Sequence, residues 1–242
     1  MPDRTAPVAE TKVRLGLPQR LLKLAKGLSM IFLWVAACVA GAGRLDWMRG
    51  WTCIAVYLVV MSLMGALVHH FNPGLLKERE KWMRKDTLPF DRIFLSIYVP
   101  LTFVQVLIAG LDEARFRWLP MPTWTIIPGI VLFLGAMAMI AWTMLVNPFA
   151  ETTVRLQSDR SQRVIDTGPY LVVRHPMYAG SILMYPATAL MFGSGCAMIV
   201  AAIIFVLIVW RTGKEDRFLR GHLAGYAEYA ACTRFRLLPG LW

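Results

Sequence analysis

Apolar residues along this chain come in long unbroken runs rather than at the spacing of an amphipathic helix or strand. Six runs contain no Asp, Glu, Lys or Arg beyond their edges: residues 28–42, 51–68, 93–111, 124–146, 177–192 and 196–210. Crossing the hydrocarbon core of a bilayer takes roughly 20 apolar residues, within a range of about 17–25. The second, third and fourth runs reach that length, and the other three are shorter. The pattern predicts an all-α integral membrane protein with five to six transmembrane helices.

Basic residues are concentrated in every second polar segment. Residues 1–27, 69–92, 147–176 and 211–242 together hold 22 of the 26 Lys and Arg residues. This bias is typical of segments on the cytoplasmic side of a membrane, so both termini are expected in the cytoplasm if all six runs cross. Anionic lipid headgroups are a sufficient partner for the formal charge of +11, and we expect no nucleic-acid partner.

The chain divides into three parts. Residues 1–27 form a cytoplasmic N-terminal segment, residues 28–146 the N-terminal transmembrane helices, and residues 147–242 a core with the last helical hairpin and a C-terminal tail. Residues 1–14 are rich in Pro, Thr and charge, and we expect them to be disordered. The cysteines share no C-x-x-C spacing, so neither a disulfide framework nor a zinc site is expected.

Three polar stretches have predicted local structures. Residues 72–92 fit either a solvated connector or an amphipathic helix on the membrane surface, whose apolar residues would be Leu75, Leu76, Trp82 and Met83. A short extended pair is predicted around the charged turn at 157–163 by its β-branched flanks, Thr153, Val154, Val164 and Ile165. Beyond Trp210 the helical spacing continues, placing on one face Arg211, Glu215, Leu219, His222 and Tyr226.

The most informative stretch surrounds the start of the fifth apolar run. Pro176 fits the first turn of a helix, where its missing N–H costs nothing. Arg174 and His175 then lie at the mouth of that helix, beside free N–H groups that favour a carboxylate or phosphate. Tyr178 follows on nearly the same face, and Gly180 allows close approach of a ligand or a second helix. Each residue also has a simpler interpretation. Arg174 could be a membrane anchor, His175 and Tyr178 could be interface residues, and Gly180 could serve helix packing.

A second group of polar residues follows the sixth apolar run. Arg211 and Glu215 are four residues apart, and Asp216 is adjacent. Glu215 could form an ordinary intrahelical ion pair with Arg211. Alternatively, a carboxylate at this membrane boundary could receive ribose hydroxyls or an ammonium group.

Together the two stretches resemble the isoprenylcysteine carboxyl methyltransferase family. The resemblance rests on Gly168-Pro-Tyr-x-x-Val-Arg-His-Pro-x-Tyr-x-Gly180, followed by Arg211-x-x-x-Glu-Asp-x-x-Leu219. It extends over residues 111–242, and the first half of the chain is similar only in hydropathy. Where the family usually has Glu-Glu, this chain has Glu215-Asp216.

The resemblance implies an S-adenosylmethionine-dependent methyltransferase of the bacterial inner membrane, with S-adenosylhomocysteine as product. Its cofactor pocket would open to the cytoplasm and be formed by connecting loops and a cytoplasmic C-terminal helix. The residues implied in cofactor binding are Tyr170, Leu171, Val172, Arg174, His175, Tyr178, Gly180, Glu215 and Asp216. Arg211 and Glu215 are the candidates for a catalytic role, with Arg211 orienting Glu215 or meeting the acceptor.

The acceptor of the methyl group stays open at this point. A prenylcysteine-type carboxylate, a lipid amine and a small thiol or other lipophilic metabolite all fit, and the bilayer itself is the expected partner. Because methyl transfer from a sulfonium needs mainly alignment of donor and acceptor, we expect neither a metal nor a protein nucleophile. The alternative is an NADPH-dependent membrane reductase of sterols or steroids. That class typically has Asn where this chain has Met177, and an acid where it has Ser181.

Overall fold

The structure is a computed structural model that describes residues 17–81 and 84–242. Its described part is helical, which confirms the predicted all-α class. The expected disorder of residues 1–14, and the roles suggested for Trp82 and Met83, lie outside the described residues. Eight α-helices are present in the described ranges: α1 (Leu17–Ala42), α2 (Met48–Phe71), α3 (Pro73–Arg79), α4 (Pro89–Gly110), α5 (Ile126–Val146), α6 (Pro176–Phe192), α7 (Gly195–His222) and α8 (Tyr226–Cys232).

Among residues 17–81 and 84–242, four helical segments are long and apolar enough to cross a membrane. They are Met48–Phe71, Pro89–Phe116, Thr123–Val146 and Gly195–His222. The apolar part of α1, Gly27–Ala42, is shorter, and α6 has 17 residues. The sixth apolar run belongs to a longer helix than its 15 apolar residues indicate, because α7 continues for 28 residues through the polar stretch after Trp210.

Several predicted local structures are confirmed and others are wrong. Pro176 begins α6, as its position in the sequence predicts. Helix α7 ends at His222, so Tyr226 lies on α8 and does not share a helix with Glu215. The extended pair is wrong: residues 147–175 are irregular, with short 3₁₀ turns at Ser158–Arg160 and Gly168–Leu171. Of the two alternatives for residues 72–92, a connector or a surface helix, the described part shows a short helix of seven residues, α3, followed by a connector to α4.

Glycines permit close contact between two pairs of helices. A Cβ added to Gly180 on α6 would lie 2.9 Å from the carbonyl oxygen of Ala136 on α5, and one added to Gly129 would lie 2.6 Å from the backbone nitrogen of Met191. Gly41 of α1 approaches the backbone of α4 in the same way. Because lipid provides no hydrophobic drive between helices, small residues stabilise such contacts through van der Waals packing.

The connecting segments gather at the two ends of the bundle. At one end, called the basic end below, residues 72–88, 147–175 and 211–242 contact one another: Leu88 N donates to the Val154 carbonyl at 3.3 Å, and His175 N donates to the Arg236 carbonyl at 2.9 Å. In the sequence, Lys and Arg are concentrated in these segments. Most of the basic residues of the described chain are therefore gathered at one end of the bundle.

The opposite end is closed by two polar anchors. Arg49 on α2 donates to the carbonyls of Leu190 and Met191 at 2.9 Å each, and so binds the unpaired C-terminal carbonyls of α6. Asp112 accepts hydrogen bonds from the Ser194 hydroxyl and the Leu119 backbone nitrogen, both at 2.6 Å. The turn between α6 and α7 is tight because Gly193 adopts a left-handed conformation with φ 77°.

Candidate functional site

A cavity of about 820 Å³, measured to its open mouth, lies at the basic end. Its walls are residues 147–165, the turn before α6, the first turn of α6, the last turns of α7, and α8. Six of the residues implied by the sequence line it: Tyr170, Arg174, His175, Tyr178, Arg211 and Glu215.

Glu215 and Tyr178 are hydrogen-bonded neighbours in the cavity wall. The Tyr178 hydroxyl donates a hydrogen bond to the Glu215 carboxylate, joining the first turn of α6 to α7. The His175 ring stacks on Tyr178 at 5.7 Å between centroids. Within the described part of the chain, Glu215 forms no salt bridge. Its negative charge is therefore not neutralised by a paired cation and remains available to a ligand in the cavity.

Arg211 is paired with a residue from another helix. Its Nε lies 2.7 Å from an oxygen of Asp91 on α4, as an ion pair without good hydrogen-bond alignment, and its Nη2 donates to the Thr152 carbonyl at 2.8 Å. The guanidinium carbon lies over the rings of Phe94 and Tyr178, 4.5 and 5.1 Å from their centroids. The intrahelical Arg211–Glu215 pair suggested by the spacing is therefore wrong.

Asp216 does not line this cavity, although it follows Glu215 directly. It is 1% exposed and accepts a bidentate contact from Arg174, at 2.7 and 3.2 Å. Its oxygens also bind Tyr226 at 3.1 Å, Arg220 at 3.1 Å and Arg236 at 3.0 Å. The structure therefore places Asp216 outside the cavity lining and among protein cations, where it holds Arg174, whose side chain borders the cavity.

Three more of the implied cofactor residues lie outside the cavity lining. Leu171 and Val172 are 68% and 55% exposed. Gly180 faces α5, where an added Cβ would come within 2.7 Å of Ile140. Gly180 therefore acts in helix packing, which is the simpler of the two interpretations that its sequence position allowed. These three positions contribute no side-chain surface to the cavity.

The loop at 147–165 contributes residues that sequence reasoning did not select. Arg155 makes a bidentate contact with Glu151, both hydrogen bonds 2.9 Å long, and a further one with Asp159 at 2.7 Å. The side chains of Arg155 and Glu151 are only 3% and 2% exposed. These hydrogen bonds raise the pKa of the Arg155 guanidinium. Charged residues in a polar loop usually face water, so the sequence contained no signal that this pair is buried.

Tyrosine hydroxyls complete the far wall of the cavity. Asn147 donates to the Tyr170 hydroxyl at 2.6 Å, and the Tyr229 hydroxyl donates to the Tyr170 carbonyl at 2.7 Å. Burial raises the pKa of Tyr229 to about 12 and raises the pKa of Tyr170 and Tyr226 as well. All three therefore remain neutral hydrogen-bonding groups near neutral pH.

Comparison with protein families gives a match in the second half of the chain. Residues 124–224 match the model of the phospholipid methyltransferase family, which is related to the isoprenylcysteine carboxyl methyltransferases. The matched range runs from the turn before α5 to just beyond α7 and contains both sequence motifs. Among curated proteins, no match to the chain was found. The match confirms the resemblance inferred from the motifs and supports a membrane methyltransferase.

Proposed function

We propose that this protein is an S-adenosylmethionine-dependent methyltransferase that acts on a lipophilic or membrane-associated acceptor at the cytoplasmic face of the membrane. The observation that carries the proposal is the cavity carboxylate Glu215, which accepts a hydrogen bond from Tyr178 and forms no salt bridge within the described residues. The family match over residues 124–224 supports the reaction class. The concentration of Lys and Arg at the basic end supports the cytoplasmic orientation.

The residues of the cavity suit this cofactor. Its ammonium group or ribose hydroxyls would find an acceptor in Glu215, which has no salt-bridge partner among the described residues. Apolar side chains that also line the cavity, Val164, Leu219 and Leu223, would cover an adenine ring. When bound, S-adenosylmethionine supplies an electrophilic methyl group on a sulfonium.

The protein then has to align and desolvate the two reactants. Tyr178 and Glu215 would hold the cofactor, while Arg211, fixed by Asp91 and two rings, would orient the acceptor. An acceptor that is already ionised, such as a carboxylate or thiolate, needs no general base. An ammonium acceptor would have to lose a proton first.

The test is calorimetric titration of the purified protein with S-adenosylmethionine, S-adenosylhomocysteine and NADPH. The first two should bind and NADPH should not. Glu215→Gln removes a charge-assisted contact worth roughly 1.5–3 kcal/mol, so cofactor binding should weaken about 10- to 150-fold. Tyr178→Phe should be milder, because a single neutral hydrogen bond is lost.

Glu228→Gln is the matched control, since Glu228 is exposed on α8 and does not line the cavity. It should leave affinity unchanged. A Glu215→Gln variant that binds the cofactor within about twofold of the parent would show that this carboxylate takes no part in binding. NADPH affinity without any S-adenosylhomocysteine affinity would overturn the methyltransferase proposal as a whole.

A further inference from the structure

A second cavity, called the basic groove below, lies between the last turns of α7 and the C-terminal turn. Its volume is about 920 Å³, measured to the open solvent. Its lining contains four cations and two tryptophans: Lys214, Arg217, Arg220, Arg236, Trp210 and Trp242. Glu215 and Arg211, which line the first cavity, are absent from this lining.

The basic groove has an excess of positive charge. Among the lining side chains Asp216 is the one carboxylate, so four cations and one acid leave a formal side-chain charge of +3. Asp216 is buried and already binds Arg174, Arg220 and Arg236. Lys214 and Arg217 are exposed, and within the described residues neither has an acidic partner. The groove is therefore suited to an anion.

The position of the groove along α7 indicates what kind of anion. Below it, one face of α7 carries an exposed apolar stripe of four residues: Ile199, Ile203, Val206 and Trp210, which are 58%, 48%, 63% and 38% exposed. Their spacing of three and four residues places them on one face of the helix, and Arg217 continues the same face two turns further. An acyl chain lying along the stripe would bring its headgroup to Arg217 and Lys214.

The two tryptophans mark the depth of the groove in the bilayer. Trp210 ends the apolar run of α7, and Trp242 is 36% exposed on the other wall, where the Arg236 guanidinium lies 4.7 Å from its ring centroid. Tryptophan is enriched at the level of lipid headgroups, and basic residues there attract anionic lipids. Charge, an apolar stripe and interfacial depth thus converge on one surface.

We propose that the basic groove binds one anionic phospholipid. Its phosphate lies against Lys214 and Arg217, with Arg220 and Arg236 at the side, and one acyl chain follows the apolar stripe. This site is separate from the candidate active site and does not depend on the proposed methyltransferase function.

The experiment measures lipid retention and affinity for the delipidated, detergent-purified protein by native mass spectrometry. Phosphatidylglycerol is the anionic probe, and phosphatidylcholine with the same chains is the zwitterionic one. The test variant is Lys214→Gln with Arg217→Gln, and the control is Lys77→Gln with Lys85→Gln, two exposed lysines at the same end. Phosphatidylglycerol should bind more tightly than phosphatidylcholine. The test variant should lose about 30-fold in affinity, with the control unchanged.

Three outcomes would overturn the proposal. Equal affinity for the two lipids would show that charge does not select the ligand. Equal loss in test and control variants would show that the groove is not the site. Inorganic phosphate or glycerophosphoglycerol that competes as well as the intact lipid would show a simple anion site without a chain contact. Thermal melting of both variants, recorded alongside, checks that each is folded.

Discussion

Replacing Asp216 by Asn tests whether this residue stabilises the fold or binds a ligand. Asn has nearly the same shape but no charge, and its amide group cannot serve as a second acceptor for the surrounding donors. The change leaves the buried guanidinium of Arg174, now 2.7 Å from Asp216, without its carboxylate. Arg220 and Arg236 lose the same partner.

The expected cost follows from the burial of the pair. The side chains of Arg174 and Asp216 are 2% and 1% exposed. Removing one partner of such a buried pair destabilises a protein by roughly 3–5 kcal/mol, because an uncompensated charge remains inside. For a chain of this size 1 kcal/mol corresponds to roughly 2–4 °C, so the melting temperature should fall on the order of 10 °C.

The assay is thermal unfolding of the purified protein without ligand, followed by intrinsic tryptophan fluorescence at a fixed scan rate. Asp166→Asn is the control, because Asp166 is exposed and should give no measurable change. Glu215→Gln, one residue earlier than Asp216, should also melt close to the parent while losing cofactor affinity. If Asp216→Asn melts within about 2 °C of the parent, the reasoning from the buried pair is refuted.

The remaining predictions concern helix packing and orientation. Gly180→Ala places a Cβ 2.9 Å from the Ala136 carbonyl oxygen, so it should lower the free energy of unfolding by roughly 1–3 kcal/mol. The control is Gly135→Ala, whose Cβ meets nothing within 4 Å, and it should be neutral or slightly stabilising. Equal melting temperatures for the two variants would contradict the close contact at Gly180. In a background without reactive cysteines, Lys77→Cys should react only from the cytoplasmic side and Arg115→Cys only from the outside, and the reverse labelling would invert the proposed orientation.

The helical architecture could be predicted because apolar runs of this length have few alternatives. The runs located the membrane-spanning helices, and Pro176 located the start of α6. The spacing beyond Trp210 correctly predicted that the helix continues, but not where it ends: α7 ends at His222, and Tyr226 lies on α8. Helical spacing in a polar segment does not by itself show where one helix stops and the next begins.

The site was predicted in part. The sequence motifs selected Tyr178 and Glu215, which line the same cavity, but they could not show which of Glu215 and Asp216 faces it. Adjacent residues on a helix are about 100° apart, so one acid faces the cavity and the other faces Arg174, and only tertiary packing decides which. The partner of Arg211 is Asp91, on a helix far away in the chain, and no local pattern encodes such a pair.

The extended pair failed for a related reason. β-branched residues such as Val154 favour a strand only where a neighbouring strand exists to pair with them. Here the backbone of the loop bonds elsewhere: Val154 N donates to Asp91 at 2.7 Å, and the loop folds around the buried Arg155–Glu151 pair. Buried ionic contacts thus determine the course of this segment.

Asp216 lines the basic groove and is connected to the candidate active site through Arg174, which lines that cavity. One carboxylate binds Arg174 on the first side and Arg220 and Arg236 on the second. If an anion in the groove draws Arg220 or Arg236 away from Asp216, the Asp216 carboxylate interacts more strongly with Arg174. Two ligands that act on one shared group are thermodynamically linked, and each changes the affinity of the other by the same factor. Through this residue the lipid composition of the leaflet would become an effector of the enzyme, and a bound cofactor would in turn change which lipids the protein retains.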